Sequence, residues 1–507
     1  MEGGQLWSGI LTALEPDNLL FCFLGVTVGM VVGVLPGIGA LAAISLLLPI
    51  TYYMEPTAAI IMLAGIFYGA QYGGSTSSIL MNMPGDASSA VTCLDGYPMA
   101  KQGRAGVALF ITTIASFVGG SFAILLLIFF APMIADLALR FGAAEYFAVM
   151  LFGLVAGSAL SGGAFLKAAA MVSLGIVLGL VGTDMQTAYP RFLLGFRDQL
   201  FDGLNLVAVA MGLFGVAEIL VNLMRAESTP FSVQSVKLRS LIPSWKDIKD
   251  SIMPTLRGSA VGSGAGMLPG TGPTISAFIA YAVEVRSSRT PERFGKGAIE
   301  GVASPEAANN ASVQAAFIPT LSLGIPGNAT AAILLGALMI HGIVPGPNLI
   351  TKEAELFWGL IGSFWIGNLI LLILNIPLIG IWVSILRIPY RALYPAMLFF
   401  VCIGVYSVNN SMFDLYVTLL FGLVGAGMMV LGFPAAPLLL GFILGPLIEE
   451  HLRNALLISR GEFGILFDSP ISIGFHAASA LLIGTSLYGV VKAFIHRRRA
   501  QKIQEEF

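Results

Sequence analysis

Residues Gly33 to Gly39 read GVLPGIG, and residues Gly266 to Gly272 read GMLPGTG. Each stretch sets a Leu-Pro-Gly step inside an apolar run. Proline has no amide hydrogen to give to a helix, and glycine is the residue most tolerant of non-helical backbone, so a helix breaks there. Backbone groups freed by a break cost several kcal/mol in lipid, so such a break survives only where it is buried in protein or lines a watery cavity. Two breaks in nearly the same words read as the two halves of one binding site inside a membrane.

Composition supports the membrane. The chain has 507 residues, 56% hydrophobic and 11% charged, against about 25% charged in soluble proteins. Ala108 to Ala135, Leu356 to Leu386 and Leu415 to Ile448 carry no charge over 28, 31 and 34 residues, where one helical span needs about 20. The fold class expected is an all-α polytopic membrane protein of about 10 to 14 spans. The net charge of -2 offers no field to recruit nucleic acid. The N-terminal MEGGQLWSGIL lacks the basic start of a secretory signal and reads as a short interfacial segment. Cys22, Cys93 and Cys402 have no metal or redox spacing and read as packing.

Positive charges gather in three places: Arg225 to Arg257, Arg286 to Lys296, and His496 to Arg499. By the positive-inside rule these regions face the cytoplasm, with the C-terminus. The Ser-, Pro- and Lys-rich stretch 225–257 reads as a cytoplasmic linker between a first membrane half, 1–224, and a second, 258–507.

A repeat ties the halves together. Gly25, Gly29, Gly33 and Gly37 shifted by 233 fall on Gly258, Gly262, Gly266 and Gly270, and Leu35, Pro36 and Gly39 fall on Leu268, Pro269 and Gly272. A second element follows at a shift of 242: NMPGD, with Pro84 and Gly85, corresponds to GIPGN, with Pro326 and Gly327. GGSTSS (Gly73 to Ser78) precedes the first and NNAS (Asn309 to Ser312) the second. A glycine ladder alone is a helix-packing surface and Pro-Gly alone a kink, but the same combination in both halves points to a site. Segment 258–283 has basic residues on both flanks, and half-helices of about 11 residues rise only about 16 Å, so it reads as a re-entrant hairpin. Segment 19–50 is flanked by Glu15, Asp17 and Glu55, as a hairpin entering from the opposite face would be. The expectation is an inverted-topology repeat of discontinuous helices.

At each break the free amides of the second half-helix suit a carboxylate, which puts Gly37, Gly39, Gly270 and Gly272 in the site. The carbonyls near Leu35 and Leu268 can face a cation. Ser75, Thr76, Ser77, Ser78 and Asn82 in one half, with Asn309, Asn310, Ser312 and Thr330 in the other, can donate to carboxylate oxygens or complete a cation shell. Asp86 and Asn328 occupy corresponding positions and are the candidate Na+ ligands. With no Lys or Arg close in sequence to the breaks, binding of the anion is expected to need a co-bound cation. Glu284, Lys167, Asp184 and Glu218 read as interfacial charges, Glu306 as the exception beside the Asn pair, and His341 as a helix-end histidine. A channel is the rival reading. An intramembrane enzyme is weaker, since no H-E-x-x-H pair is present and no histidine stands beside the hydroxyl runs.

With GVLPGIG, YGAQYGGSTSS (Tyr68 to Ser78), NMPGD, GMLPGTG, PEAANNA (Pro305 to Ala311) and GIPGN in hand, the sequence resembles the large membrane subunit of the tripartite tricarboxylate transporter family. The resemblance implies uptake of citrate or another carboxylate across a bacterial inner membrane by Na+ or H+ symport. It also implies a small four-span membrane subunit, a periplasmic substrate-binding protein and, by analogy with other inverted-repeat carriers, an elevator-like motion. No cofactor beyond the coupling ion is implied.

Overall fold

The computed structural model describes residues 2–35, 39–159, 165–184, 186–225, 238–385 and 390–505. Helices dominate, and among the described residues the strand pairing is a two-residue antiparallel ladder, Gly182–Thr183 with Pro190–Arg191. Among the described residues, seven helical stretches are long and apolar enough to cross a membrane, and five shorter apolar helices, such as Gly39–Thr51 and Ala329–Ile340, accompany them. Large apolar side chains stand outward on the spans, among them Phe129, Ile373 and Leu481, each more than 60% exposed. Such a surface belongs in hydrocarbon. The chain is a multi-pass, all-α membrane protein.

Two compact units form. One holds Met1–Leu139 and Asn205–Gly427, the other Arg140–Leu204 and Met428–Phe507. Each draws on chain from both sides of the 225–257 segment. In the second unit, helix Phe165–Gly179 lays Gly175 and Gly179 against the backbone at Leu438 and Phe442 of helix Ala435–Ile458, which in turn lays Gly441 on Val172. A polar cluster joins the same two regions: Asp184 accepts from the amides of Gln186 (2.9 Å) and Thr187 (3.1 Å) and from Arg453 (2.8 Å), while Arg191 forks onto Glu449 at 2.7 and 3.0 Å. The Gln186 and Thr187 amides, with Arg191 and Arg453, hold the Asp184 carboxyl down at about 2.

The first unit contains both glycine ladders. The first ladder helix, Pro16–Val34, lies along the first crossing helix, Pro56–Met81, and the second ladder helix, Trp245–Gly266, along the second crossing helix, Glu300–Ala315. Gly25, Gly29 and Gly33 sit against the backbone of Met62, Ile66 and Ala70; Gly258, Gly262 and Gly266 sit against Ser304, Ala308 and Ser312. Those partners are themselves related by the 242 shift, so the two copies share one packing register. A methyl group added at Gly29 or Gly266 would stand 2.5 Å from the carbonyl oxygen of Ile66 or Ser312, closer than a carbon can approach. Small residues let the helices of each pair run parallel in backbone contact.

Direction follows from the contacts. Ser75 meets Glu306 while Phe67 packs on Phe317, just past the second crossing helix. As one crossing helix ascends in number the other descends, so these equivalent helices run antiparallel. Their symmetry axis therefore lies across the helices, which in a membrane is inverted topology.

The second copy also forms the expected hairpin. Its post-break helix, Gly272–Ser287, meets the second crossing helix with Ser276 at Ser312 and Ala280 at Ser304. It runs against that helix, whereas the ladder helix runs with it, so ladder and post-break helices are antiparallel. Arg257 closes the open end with two bonds to Glu284, 2.6 and 3.1 Å. One expectation needs correction: the first arm begins at Trp245, well before Gly258. A capping box between Ser244 and Asp247 starts the helix inside the polar stretch, so this arm is not the short half-helix that apolar length alone implied.

Candidate functional site

In each copy the Leu-Pro-Gly break and the Pro-Gly break touch. Gly85 packs on the carbonyl of Gly33, and Gly327 on that of Gly266. Gly270 donates its amide to Gly327 at 2.8 Å. Gly39 and Gly272 both adopt left-handed backbone, φ +66° and +57°, open to glycine without strain. Beside Gly39 stands Asp86, which accepts from the Ala40 amide at 3.3 Å, and beside Gly272 stands Asn328. Asn82 and Gly324 end their helices in the same left-handed conformation, φ 58° and 70°. At these described positions the correspondence read from sequence holds.

The copies also meet each other. The Gly272–Ser287 helix packs on the turn Ala87–Ala90 just beyond the first Pro-Gly step, and helix Gly39–Thr51 packs on Ala329–Ile340, just beyond the second. In each copy the post-break helix thus leans on the element that leaves the other copy's Pro-Gly step. Pro36 and Gly37 lie outside the described residues; Pro84, Pro269 and Pro326 stand in the irregular links between helices.

The polar side chains have divided fates. Ser75 Oγ donates to Glu306 at 2.6 Å, Ser77 to Gly74 O at 3.1 Å and Ser78 to Ser89 O at 2.9 Å. Asp86 caps the turn after it through Ser88, and Asn328 caps helix Ala329–Ile340 through the Ala331 amide, so the two candidate cation ligands serve as N-caps. The Leu268 carbonyl accepts from Thr271 Oγ1 at 2.9 Å. Ser276 bonds Ser312 at 2.9 Å, and Asn310 Nδ2 donates to Glu306 O at 3.2 Å. Thr330 is buried.

Other groups are buried with no partner: Thr76 Oγ1, Ser263 Oγ, both amide atoms of Asn309, Asn310 Oδ1, Gln314 Oε1 and Asn328 Nδ2. An interior amide without hydrogen bonds costs about 1–3 kcal/mol, and here several stand on one pair of helices and the adjoining breaks. Such a concentration is what a site holding polar cargo or water looks like.

Sequence reading singled out Glu306 but missed its partners and other parts of this site. Glu306, fully buried, receives Ser75, Thr92 and, at 3.4 Å, Ser116. Ser88 donates to Gln71 at 2.6 Å. Glu218 lies within electrostatic reach of Asp86. Asp95 accepts from Tyr281 and from the amides of Gly297 and Ala298, each within 2.9 Å, and so ties the first copy to the start of the second crossing helix. Only Glu306 had a signal, its nearness to Asn309; the rest are joined by folding alone. His341 caps its helix end as expected.

A family model described as the tripartite tricarboxylate transporter TctA family matches residues 19–440. The chain belongs to that family. Among curated proteins it is 50% identical over 476 residues to an uncharacterized 52.8 kDa protein in the TAR-I ttuC' 3' region of Agrobacterium vitis, covering 94% of this chain and 93% of that one. It is 49% identical over 243 residues to an uncharacterized protein in the TAR-II ttuC' 3' region of the same organism, covering 48% of this chain and 98% of the relative. No solved structure matches it. The TctA match spans both ladders and all four interruptions, so this transporter family carries the repeated geometry as a unit.

Proposed function

We propose that this TctA-family chain is the large membrane subunit of a binding-protein-dependent secondary transporter that takes up a di- or tricarboxylate of the citrate kind by Na+ or H+ symport. The reading rests on one observation: unpartnered, buried hydroxyl and amide atoms stand on the two crossing helices, on the second ladder helix and at the second Pro-Gly step. Donors of that kind suit carboxylate oxygens, and the backbone amides of Gly39 and Gly272 add the positive ends of two helices. In this reading Gly37, Gly39, Gly270, Gly272, Thr76, Asn309 and Asn310 face the anion, with Ser75, Ser77, Ser78, Asn82, Ser312 and Thr330 shaping the walls. Asp86, with Glu218 in electrostatic reach, is where a cation joins, and Asn328 is its uncharged counterpart in the other copy.

The working assembly adds a small four-span subunit and a periplasmic binding protein in a bacterial inner membrane, C-terminus in the cytoplasm. The two copies moving against a scaffold would expose the site alternately. Proteoliposomes holding the assembly test this with labelled citrate and an imposed Na+ or proton gradient. Accumulation above the outside concentration, lost in Asn310→Ala, is the expected result. Equilibration without accumulation would make the chain a facilitator instead.

A further inference from the structure

We propose that Glu306 is the proton-carrying group of this protein, taking up and releasing one proton in each transport cycle. This deepens the coupling left open between Na+ and H+ above and rests on that reading.

The geometry carries the proposal. Glu306 is 1% exposed at the crossing of the two antiparallel crossing helices. Its Oε1 accepts from Thr92, and its Oε2 from Ser75 at 2.6 Å and Ser116 at 3.4 Å. Three hydroxyls, from three separate helices, stand where a buried carboxylate ordinarily has a cation. Of the charged groups on the elements packed around it, Arg257 is bound to Glu284, Asp95 to Tyr281 and two amides, and Asp86 to the Ala40 amide and Ser88. The titratable neighbours within electrostatic reach are Tyr72 on the first crossing helix and Cys93 beside Thr92.

Hydroxyls can serve both forms of the acid. They donate to the anion and, by rotating, accept from or release the neutral carboxyl. Ser75 has its alternative acceptor in place, the Gln71 carbonyl at 3.4 Å. The step moves one proton onto an Oε oxygen from solvent and later returns it to solvent; nothing is oxidised or reduced.

The fold does not need this acid. Under the repeat, Ser75 maps to Phe317 and Glu306 to Ala64, and on that side Phe317 packs at 6.4 Å from Phe67 and 4.8 Å from Phe364, ring centre to ring centre. The same crossing is closed once with rings and once with a carboxyl group.

Two measurements decide the matter. Infrared pH titration of the full-length chain in lipid should give a protonated-carboxyl stretching band that is missing in Glu306→Gln and whose midpoint moves in Thr92→Val. In proteoliposomes of the assembly, Glu306→Gln should lower proton-driven citrate accumulation by about tenfold or more, the size of an ordinary coupling between two sites. An identical infrared titration in Glu306→Gln, or undiminished proton-driven accumulation, overturns the proposal. If neither wild type nor variant moves citrate, the transport reading fails for that anion while the infrared band still decides the proton site. Should Glu306→Gln not reach the membrane, Thr92→Val and Ser75→Ala carry the titration, and an unmoved midpoint in both overturns it.

Discussion

The two copies of the repeat agree in backbone and disagree in charge. Each lays three glycines on a crossing helix in one register, places left-handed glycine at Gly39 or Gly272, and turns at Asn82 or Gly324. At the same positions the ionisable side chains differ: Asp86 corresponds to Asn328, Leu24 to Arg257, Thr51 to Glu284, and Ala64 to Glu306. Close helix approach and paired breaks are what the architecture requires of both copies, because each backbone group freed in the membrane must find a partner. At each of these four positions only one copy carries a charge, so the charges belong to orientation and chemistry.

The ladders offer the severest way to break that comparison. Gly29→Leu and Gly262→Leu should each prevent folding, since the new side chain would drive into the backbone of Ile66 or Ala308. The cost exceeds the about 3 kcal/mol upper end of ordinary overpacking. Membrane yield and gel-filtration profile in detergent check it. A folded, monodisperse protein from one variant alone would show that the copies bear unequal loads.

Next comes the ion pair found in the second copy only. Arg257→Ala leaves Glu284, 2% exposed, buried beside an empty place. Removing one partner from a wholly buried pair costs about 3–5 kcal/mol, and partial exposure of Arg257 reduces this to about 1–3. Thermal unfolding in detergent should register the loss. Leu24→Ala, at the corresponding place in the first copy and facing outward, should change the midpoint little.

These contrasts also mark how far sequence carries. Equal spacing of Gly25, Gly29 and Gly33 with Gly258, Gly262 and Gly266 is periodicity along one chain, so the repeat, its breaks and its antiparallel sense were readable from spacing and flanking charge. The start at Trp245 was not, because a capping box works through local hydrogen bonds while apolar length looks only at hydropathy. Nor were Thr92 and Ser116 as partners of Glu306, which lie 214 and 190 residues from it; nothing local in a hydroxyl residue tells which distant carboxylate it will meet. Asp86 and Asn328 were found for their matched positions, and their capping role depends on where the next helix begins.

Asp86→Asn makes the copies chemically alike at the Pro-Gly step. Asn caps a helix as well as Asp, so stability should hold within about 0.5 kcal/mol, as for substitutions that keep a structural bond. If the single charge helps to hold the co-transported cation, labelled citrate uptake should fall about tenfold, an effect of about 1.4 kcal/mol. Unchanged uptake would assign Asp86 to capping alone and move the cation away from the first copy.

The smallest effect lies in the second unit, outside both ladders, and calibrates the rest. The Asp184 carboxyl titrates at about 2, below the about 3.9 of an unfolded chain. The folded form therefore binds fewer protons than the unfolded one in this range, so the stabilisation is whole above about pH 5 and is lost as pH falls through 2. Asp184→Asn should flatten the part of the acid dependence of thermal unfolding that lies between those limits and leave the midpoint at neutral pH lower by a constant amount. Because Arg191 and Arg453 also bind Glu449, the cluster keeps an anion in the variant, which is why the effect stays small. An acid dependence identical to wild type would mean that the amides of Gln186 and Thr187 do not favour the charged carboxylate, and that this loop gains its order from the glycine contacts of Gly175 and Gly179 instead.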